Sequence, residues 1–162
     1  MKINRFLFKN NQISLEEDID FSNAELDQNH IRRIESCHVK ISGHEYEDLL
    51  LLNVEIKADI IGVCSYTLED VPIHLNFKDS LEFSNEVEDD EELFYVAEPI
   101  FDIDPYILGL IIAETPMKIV KKGAKLPSGG KDFRVLSEDE YLEEKKQKTD
   151  SRWSKLDDIE LE

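Results

Sequence analysis

The sequence is poor in cysteine, tryptophan and long hydrophobic runs. Its 162 residues include two cysteines, one tryptophan, six glycines and five prolines. Two cysteines are too few for the disulfide framework of a small secreted protein. The longest nearly apolar run, residues 106–113, is far shorter than the roughly 20 residues that span a bilayer. The apolar stretch near the N-terminus is also too short for a signal peptide. We therefore expect a cytoplasmic protein without membrane contact.

Positive charge is scarce and unevenly placed. The chain has 37 acidic and 19 basic side chains, a net charge of -18, and residues 1–116 hold 26 of the acidic and 8 of the basic ones. Such an acidic body repels a phosphate backbone, so DNA binding is not expected. Residues 117–134, the basic segment, reverse the balance with Lys118, Lys121, Lys122, Lys125, Lys131 and Arg134. These six cations either neutralise a nearby acidic surface of the same molecule or contact phosphates, and the sequence leaves both open.

The first half of the chain shows the two-residue period of β-strands. Within residues 50–64 every second residue is apolar or small, and the same alternation restarts within residues 71–83. Two such runs joined by a short connection predict an antiparallel pair with one buried face. Residues 37–41 predict a third strand that turns at Ser42-Gly43-His44, and residues 2–8 predict an edge strand.

Helix signals follow the strands. Asp104 is expected to cap the free amides of a helix that continues through Pro105, and Thr115-Pro116 is expected to end it. Ser137 and Glu140 have the spacing of a capping box at the start of a second, highly charged helix. The fold class predicted is α+β, mainly an antiparallel β meander or partly closed barrel, with one packed helix after the strands and a charged C-terminal helix or tail.

We expect three parts along the chain. Residues 1–116 form an acidic β-rich domain with its closing helix, and residues 117–136 form a basic loop rich in glycine and lysine. Residues 137–162 form a charged helix and a mobile tail that orders when something binds it.

No residue set predicts a metal, a nucleotide or a catalytic site. The possible zinc ligands lack the usual spacing, and the glycine-rich segment lacks the pattern of a P-loop. Cys64 has no histidine near it in sequence, its parity points to the buried face, and Glu69 and Asp70 are expected to raise its pKa. We therefore expect no cofactor and no enzymatic activity. The residues that could act as zinc ligands are Cys37, His38, His44, Cys64 and His74.

The stretch from Cys64 to Val71, CSYTLEDV, resembles the signature C-S-R-T-L-E-P-V of the YceD-type family, the bacterial large ribosomal RNA subunit accumulation proteins. Its signature positions here are Cys64, Ser65, Thr67 and Leu68. The helix that ends at Thr115-Pro116 stands where the family closes a helix in Leu-Pro. The segment 150–153, DSRW, looks like the family's terminal D-P-R-W/L.

Several departures limit what the resemblance implies. Thr67 replaces a second cysteine found in many members, and the basic segment replaces a later cysteine pair. Tyr66 occupies the position where the family usually has arginine, and Asp70 occupies the position where it usually has proline. Metal binding or redox chemistry suggested for the family is therefore not expected here, and Cys64 is interpreted as a residue that marks a strand junction.

The resemblance implies a non-enzymatic factor for accumulation, processing and assembly of large-subunit ribosomal RNA. Its expected partners are the precursor of that RNA, basic ribosomal proteins, or both. Beside the basic segment, the candidate RNA contacts include Arg152 and Trp153. The candidate acidic partner surface consists of Glu86, Glu88, Asp89, Asp90, Glu91 and Glu92.

Two rivals remain at this point. One is an acidic protein-interaction module without RNA contact, and the other is a hydrolase or redox enzyme that uses Cys64.

Overall fold

The computed structural model describes residues 1–26, 30–47, 49–85, 93–127 and 129–147. The chain divides into two compact units, Met1–Lys121 and Lys122–Glu162. Among the described residues, the first unit contains the strands and one α-helix, and the second unit contains one α-helix.

An open five-stranded sheet dominates the first unit. Its strands are β2 (Gln12–Asp18), β3 (Ile31–Tyr46), β4 (Leu49–Val63), β5 (Asp70–Ser84) and β6 (Phe94–Tyr95). They lie in the order β2-β3-β4-β5-β6, with antiparallel pairing except between β5 and β6. The predicted α+β meander is therefore confirmed, in its open rather than barrel form.

The alternation in the sequence corresponds to the two faces of this sheet. The even-numbered residues of β4 from Leu50 to Ile60 are buried, whereas Asn53, Glu55, Lys57 and Asp59 are exposed. Opposite Val39, Ile56 is fully buried in the core between β3 and β5. One face thus carries the hydrophobic core, and we call the opposite, polar face the open face.

The predicted turn at Ser42-Gly43-His44 is wrong, because β3 runs without a break to Tyr46. The chain reverses after Tyr46, where Glu47 adopts the left-handed region at φ 47°. Gly43 is needed for close packing instead, since an added Cβ would clash with the carbonyl oxygen of Leu51 and lie 2.5 Å from Cδ2 of Leu52.

The N-terminus forms a second, two-stranded sheet. Strand β1 covers only Lys2–Asn4 and pairs with β7 (Ile100–Asp102), and a 3₁₀ turn follows at Arg5–Leu7. The predicted edge strand 2–8 is therefore correct only in its first part. Strand β2, which the sequence analysis did not identify, forms the edge of the large sheet.

Helix α1 (Asp104–Glu114) covers the core face of the sheet, with Ile107 and Ile111 fully buried. The predicted helix is confirmed, but the predicted capping role of Asp104 is wrong. Asp104 lies inside the helix, where its carboxylate accepts a hydrogen bond of 2.6 Å from the Met1 ammonium group. The carboxylate of Asp102 accepts the N–H of Asp104 instead, at 3.1 Å.

The second unit contains α2 (Glu138–Gln147). Its predicted capping box is present, since the amide of Ser137 donates to the Glu140 carboxylate at 2.8 Å and the amide of Glu140 donates to the Ser137 hydroxyl at 3.1 Å. Neither helix in the described part of the chain is long and apolar enough to cross a membrane.

Candidate functional site

Residues 64–69 form the tight connection between β4 and β5. The amide of Cys64 donates to the carbonyl of Glu69 at 2.8 Å, and the amide of Leu68 donates back to the carbonyl of Cys64 at 2.9 Å. Leu68 adopts the left-handed region at φ 59° to close this loop. The short connection expected between the two strands is thus confirmed, and all four signature positions lie in it.

The chain that follows α1 docks on this loop. The amide of Ser65 donates to the carbonyl of Ile119 at 2.7 Å, and the amide of Lys121 donates to Sγ of Cys64 at 3.3 Å. Ile119 is buried against Gly62. A Cβ atom added to Gly62 would lie 2.5 Å from the Cδ1 atom of Ile119. We call residues 64–69 and 118–121 together the signature clasp.

Charged groups complete the signature clasp. The Lys121 ammonium group donates to the Glu69 carboxylate at 3.2 Å, and the Thr67 hydroxyl donates to the same carboxylate at 3.1 Å. These contacts hold the pKa of Glu69 below its ordinary value. The Lys118 ammonium group lies 5.6 Å from the ring centroid of Tyr66, within the range of a cation–π contact.

The surroundings of Cys64 lower its pKa to about 7, contrary to the expected rise. The largest cause is the amide of Lys121, and the Thr67 hydroxyl and the loop amides add to it. These donors favour the thiolate more than burial disfavours it. Cys64 is nevertheless fully buried, as its parity predicted, whereas burial raises the pKa of Cys37 to about 12.

Two of the histidines on the open face contact carboxylates of the sheet rather than Cys64. His38 contacts the carboxylates of Asp18 and Glu16 at 2.7 and 3.0 Å, and His74 contacts Asp59 at 2.5 Å. The described residues contain no group of three or more side chains placed to hold a metal ion. The contacts of the signature clasp hold Ile119 and Lys121, at the start of the basic segment, against the β4–β5 connection.

The six cations of the basic segment fall in both units. Lys118 and Lys121 belong to the signature clasp in the first unit. In the second unit Arg134 contacts Glu144 at 3.3 Å. The other three side chains are exposed, and no ion pair to them is found among the described residues; they are Lys122, Lys125 and Lys131.

Part of the predicted site lies outside the described residues, namely Arg152, Trp153, and the acidic positions Glu86, Glu88, Asp89, Asp90, Glu91 and Glu92.

The structure also shows an acidic region that sequence reasoning missed. A cavity of about 500 Å³ opens beside the end of β2, lined in part by Asp18, Asp20 and Glu35. The alternation of Ile13 and Leu15 with polar residues was the signal that could have located this strand.

Comparisons with known proteins agree on one family. The family model described as "Large ribosomal RNA subunit accumulation protein YceD" matches residues 52–160. The chain is also similar to the "Uncharacterized protein YlbN" of Bacillus subtilis (strain 168), with 32% identity over 138 residues, which cover 80% of this chain and 77% of that protein. No solved structure matches the chain.

Proposed function

The chain belongs to the family of the large ribosomal RNA subunit accumulation protein YceD, and from this premise we propose that it acts in the cytoplasm as a non-enzymatic factor in large-subunit assembly. In this role it binds the precursor of the large-subunit RNA, basic ribosomal proteins, or both. The signature clasp is then a structural element that holds the first residues of the basic segment, up to Lys121.

The observation that carries the RNA contact is the exposure of Lys122, Lys125 and Lys131 directly after the signature clasp. Their ammonium groups are available for phosphate oxygens, whereas Lys121 and Arg134 already contact carboxylates. Lys118, Lys121 and Arg134 are therefore secondary contacts. Arg152 and Trp153 are further candidates, the tryptophan through stacking on an unpaired base.

The acidic first unit is proposed to hold a basic protein. Residues 1–121 carry 26 acidic and 10 basic side chains, a charge that attracts cationic partners and repels free RNA. Within this proposal the acidic positions from Glu86 to Glu92 are part of the partner surface. RNA contact is thereby assigned to the basic segment together with Arg152 and Trp153, and not to the acidic first unit.

The second candidate function is an acidic protein-interaction module without RNA contact. The ion pairs Lys121–Glu69 and Arg134–Glu144 favour it, because they show that part of the basic segment neutralises carboxylates of the same chain. Under this alternative the remaining lysines have no role in binding.

The test is recovery of the tagged protein from cells at low salt, followed by identification of the RNA and proteins bound to it. The proposal expects large-subunit RNA precursors with the wild type, and their loss when Lys122, Lys125 and Lys131 are changed to glutamate. The matched control changes Lys57, Lys145 and Lys146, three exposed lysines outside the basic segment, to glutamate and alters the net charge equally. Recovery of a protein without RNA, unaffected by either triple change, would establish the second candidate instead.

A further inference from the structure

Resting on the proposed function, we infer that the outer edge of β2 takes up an extended, positively charged segment of a partner protein as an additional strand. Strand addition uses backbone hydrogen bonds for affinity and alternate side chains for specificity. Within the described residues β2 forms a ladder with β3 alone, and beyond the single bridge between Gln12 and Lys9 no strand pairs with its other edge.

The backbone hydrogen bonds define which groups of β2 are available. In an antiparallel ladder, every second residue of an edge strand directs both its N–H and its C=O away from its neighbour. Gln12 exchanges both of these bonds with Lys9, outside the β2–β3 ladder, whereas the amide of Ile19 donates to the carbonyl of Cys37 in the direction of β3. The even-numbered positions therefore face outward, and those beyond Gln12 are Ser14, Glu16 and Asp18.

Cavities lie at both ends of this edge. Near its start, a groove of about 260 Å³ has the apolar side chains of Leu7, Ile13 and Leu15 among its mostly polar lining residues. At its end, the cavity of about 500 Å³ has Ile19 and Ile34 among its lining residues. Because alternate side chains of a strand point to the same face, an added strand with apolar residues at every second position can direct them toward the groove beside Ile13 and Leu15.

Charge selects a basic partner for the remaining positions. Glu16, Glu17 and Asp18 occupy consecutive exposed places on β2, and Asp20 and Glu35 line the cavity at its end. His38 and Lys40 of β3 neutralise part of this charge. Lys2 and Lys9 line the groove at the other end, so the basic residues of the partner belong next to Glu16–Asp20.

The acidic residues of β2 have an alternative explanation, because charged residues on an edge strand also protect a sheet from aggregation. Ser14 allows a test that leaves charge unchanged. A proline at this outward-facing position removes an N–H without removing a bond to β3, and edge strands tolerate proline at such positions. Ser14→Ala is the matched control, because it keeps the N–H and removes only the exposed hydroxyl group.

The probe is a fluorescent peptide of alternating lysine and valine, and its control has the same sequence with N-methylated valines. Measured by fluorescence anisotropy with the full chain, the first peptide should bind and the second should not. Ser14→Pro should weaken binding about tenfold, the effect of losing a backbone hydrogen bond and introducing a steric clash. Ser14→Ala should bind as the wild type does.

Equal binding of both peptides would overturn the inference, because it would show attraction by charge alone. Absence of binding to the wild type would also overturn it. The N-methylated peptide keeps the test valid if Ser14→Pro does not fold. Failure of the proposed function is visible separately, as a wild-type chain that recovers neither large-subunit RNA nor ribosomal proteins while still binding the alternating peptide.

Discussion

The salt dependence of RNA binding measures how many cations of the basic segment reach phosphates. Each phosphate neutralised on a single strand adds about -0.7 to the slope of log affinity against log salt. If all six cations made contact, the slope would be about -4.

The contacts seen in the structure lower the number of cations that can reach phosphates. Lys121 lies 3.2 Å from Glu69 and Arg134 lies 3.3 Å from Glu144, so moving either to a phosphate breaks an ion pair and leaves a carboxylate near the RNA. Lys118 contacts the ring of Tyr66. With three lysines remaining, the expected slope is about -2.

The assay is fluorescence anisotropy of a labelled single-stranded fragment of large-subunit RNA, titrated at several potassium chloride concentrations. Changing Lys122, Lys125 and Lys131 to glutamate should bring the slope close to zero. The control triple change at Lys57, Lys145 and Lys146 should preserve it. A wild-type slope near -4, or a slope that survives the first triple change, would refute the assignment of these three lysines.

Three further predictions concern stability and ionisation. Gly43→Ala should lower the free energy of unfolding, measured in urea, by about 1–3 kcal/mol through overpacking. Gly109→Ala is the contrasting change, because a Cβ added there meets open space. It should raise the free energy of unfolding by about 0.5–1 kcal/mol, since alanine favours a helix more than glycine does. Hydrogen bonds to the carboxylates of Asp18 and Glu16 raise the pKa of His38 above its ordinary value of 6.5. The protonated His38 therefore contributes its full stabilisation below pH 6.5. This contribution is lost as the pH rises through the pKa of His38 in the folded protein. His38→Gln should therefore destabilise the protein more in mild acid than in mild alkali. In a Cys37→Ser protein, ultraviolet absorbance should show a thiolate forming at a pH of about 7, and Cys64→Ser should abolish it.

Each of these predictions has a contradicting result. Equal losses at Gly43 and Gly109 would mean that close packing at Gly43 is not the cause. A stability difference for His38→Gln that does not change with pH would contradict the role of the β2 carboxylates. Ionisation of Cys64 near its ordinary value of 9.0 would show that the Lys121 amide does not stabilise the thiolate.

The Gly43 and Cys64 errors show where sequence reasoning stops. Gly43 was interpreted as a turn because glycine often marks one, but here it accommodates the neighbouring strand. The pKa of Cys64 was inferred from Glu69 and Asp70 nearby in sequence, yet the amide with the largest effect comes from Lys121, 57 residues away. Both errors arose because the decisive neighbour is close only in the folded chain.

The sequence alone determined the strand pair β4–β5, the helix α1, the capping box of α2, the family and the acidic body with its basic segment. These features depend on periodicity, local hydrogen bonding and composition, which a linear chain displays. Tertiary structure alone decided that residues 64–69 contact residues 118–121, that Lys121 and Arg134 pair with carboxylates of the same chain, and that β2 forms an outer edge of the sheet. Those features depend on which distant residues meet, and that is set by how the sheet pairs and packs its core.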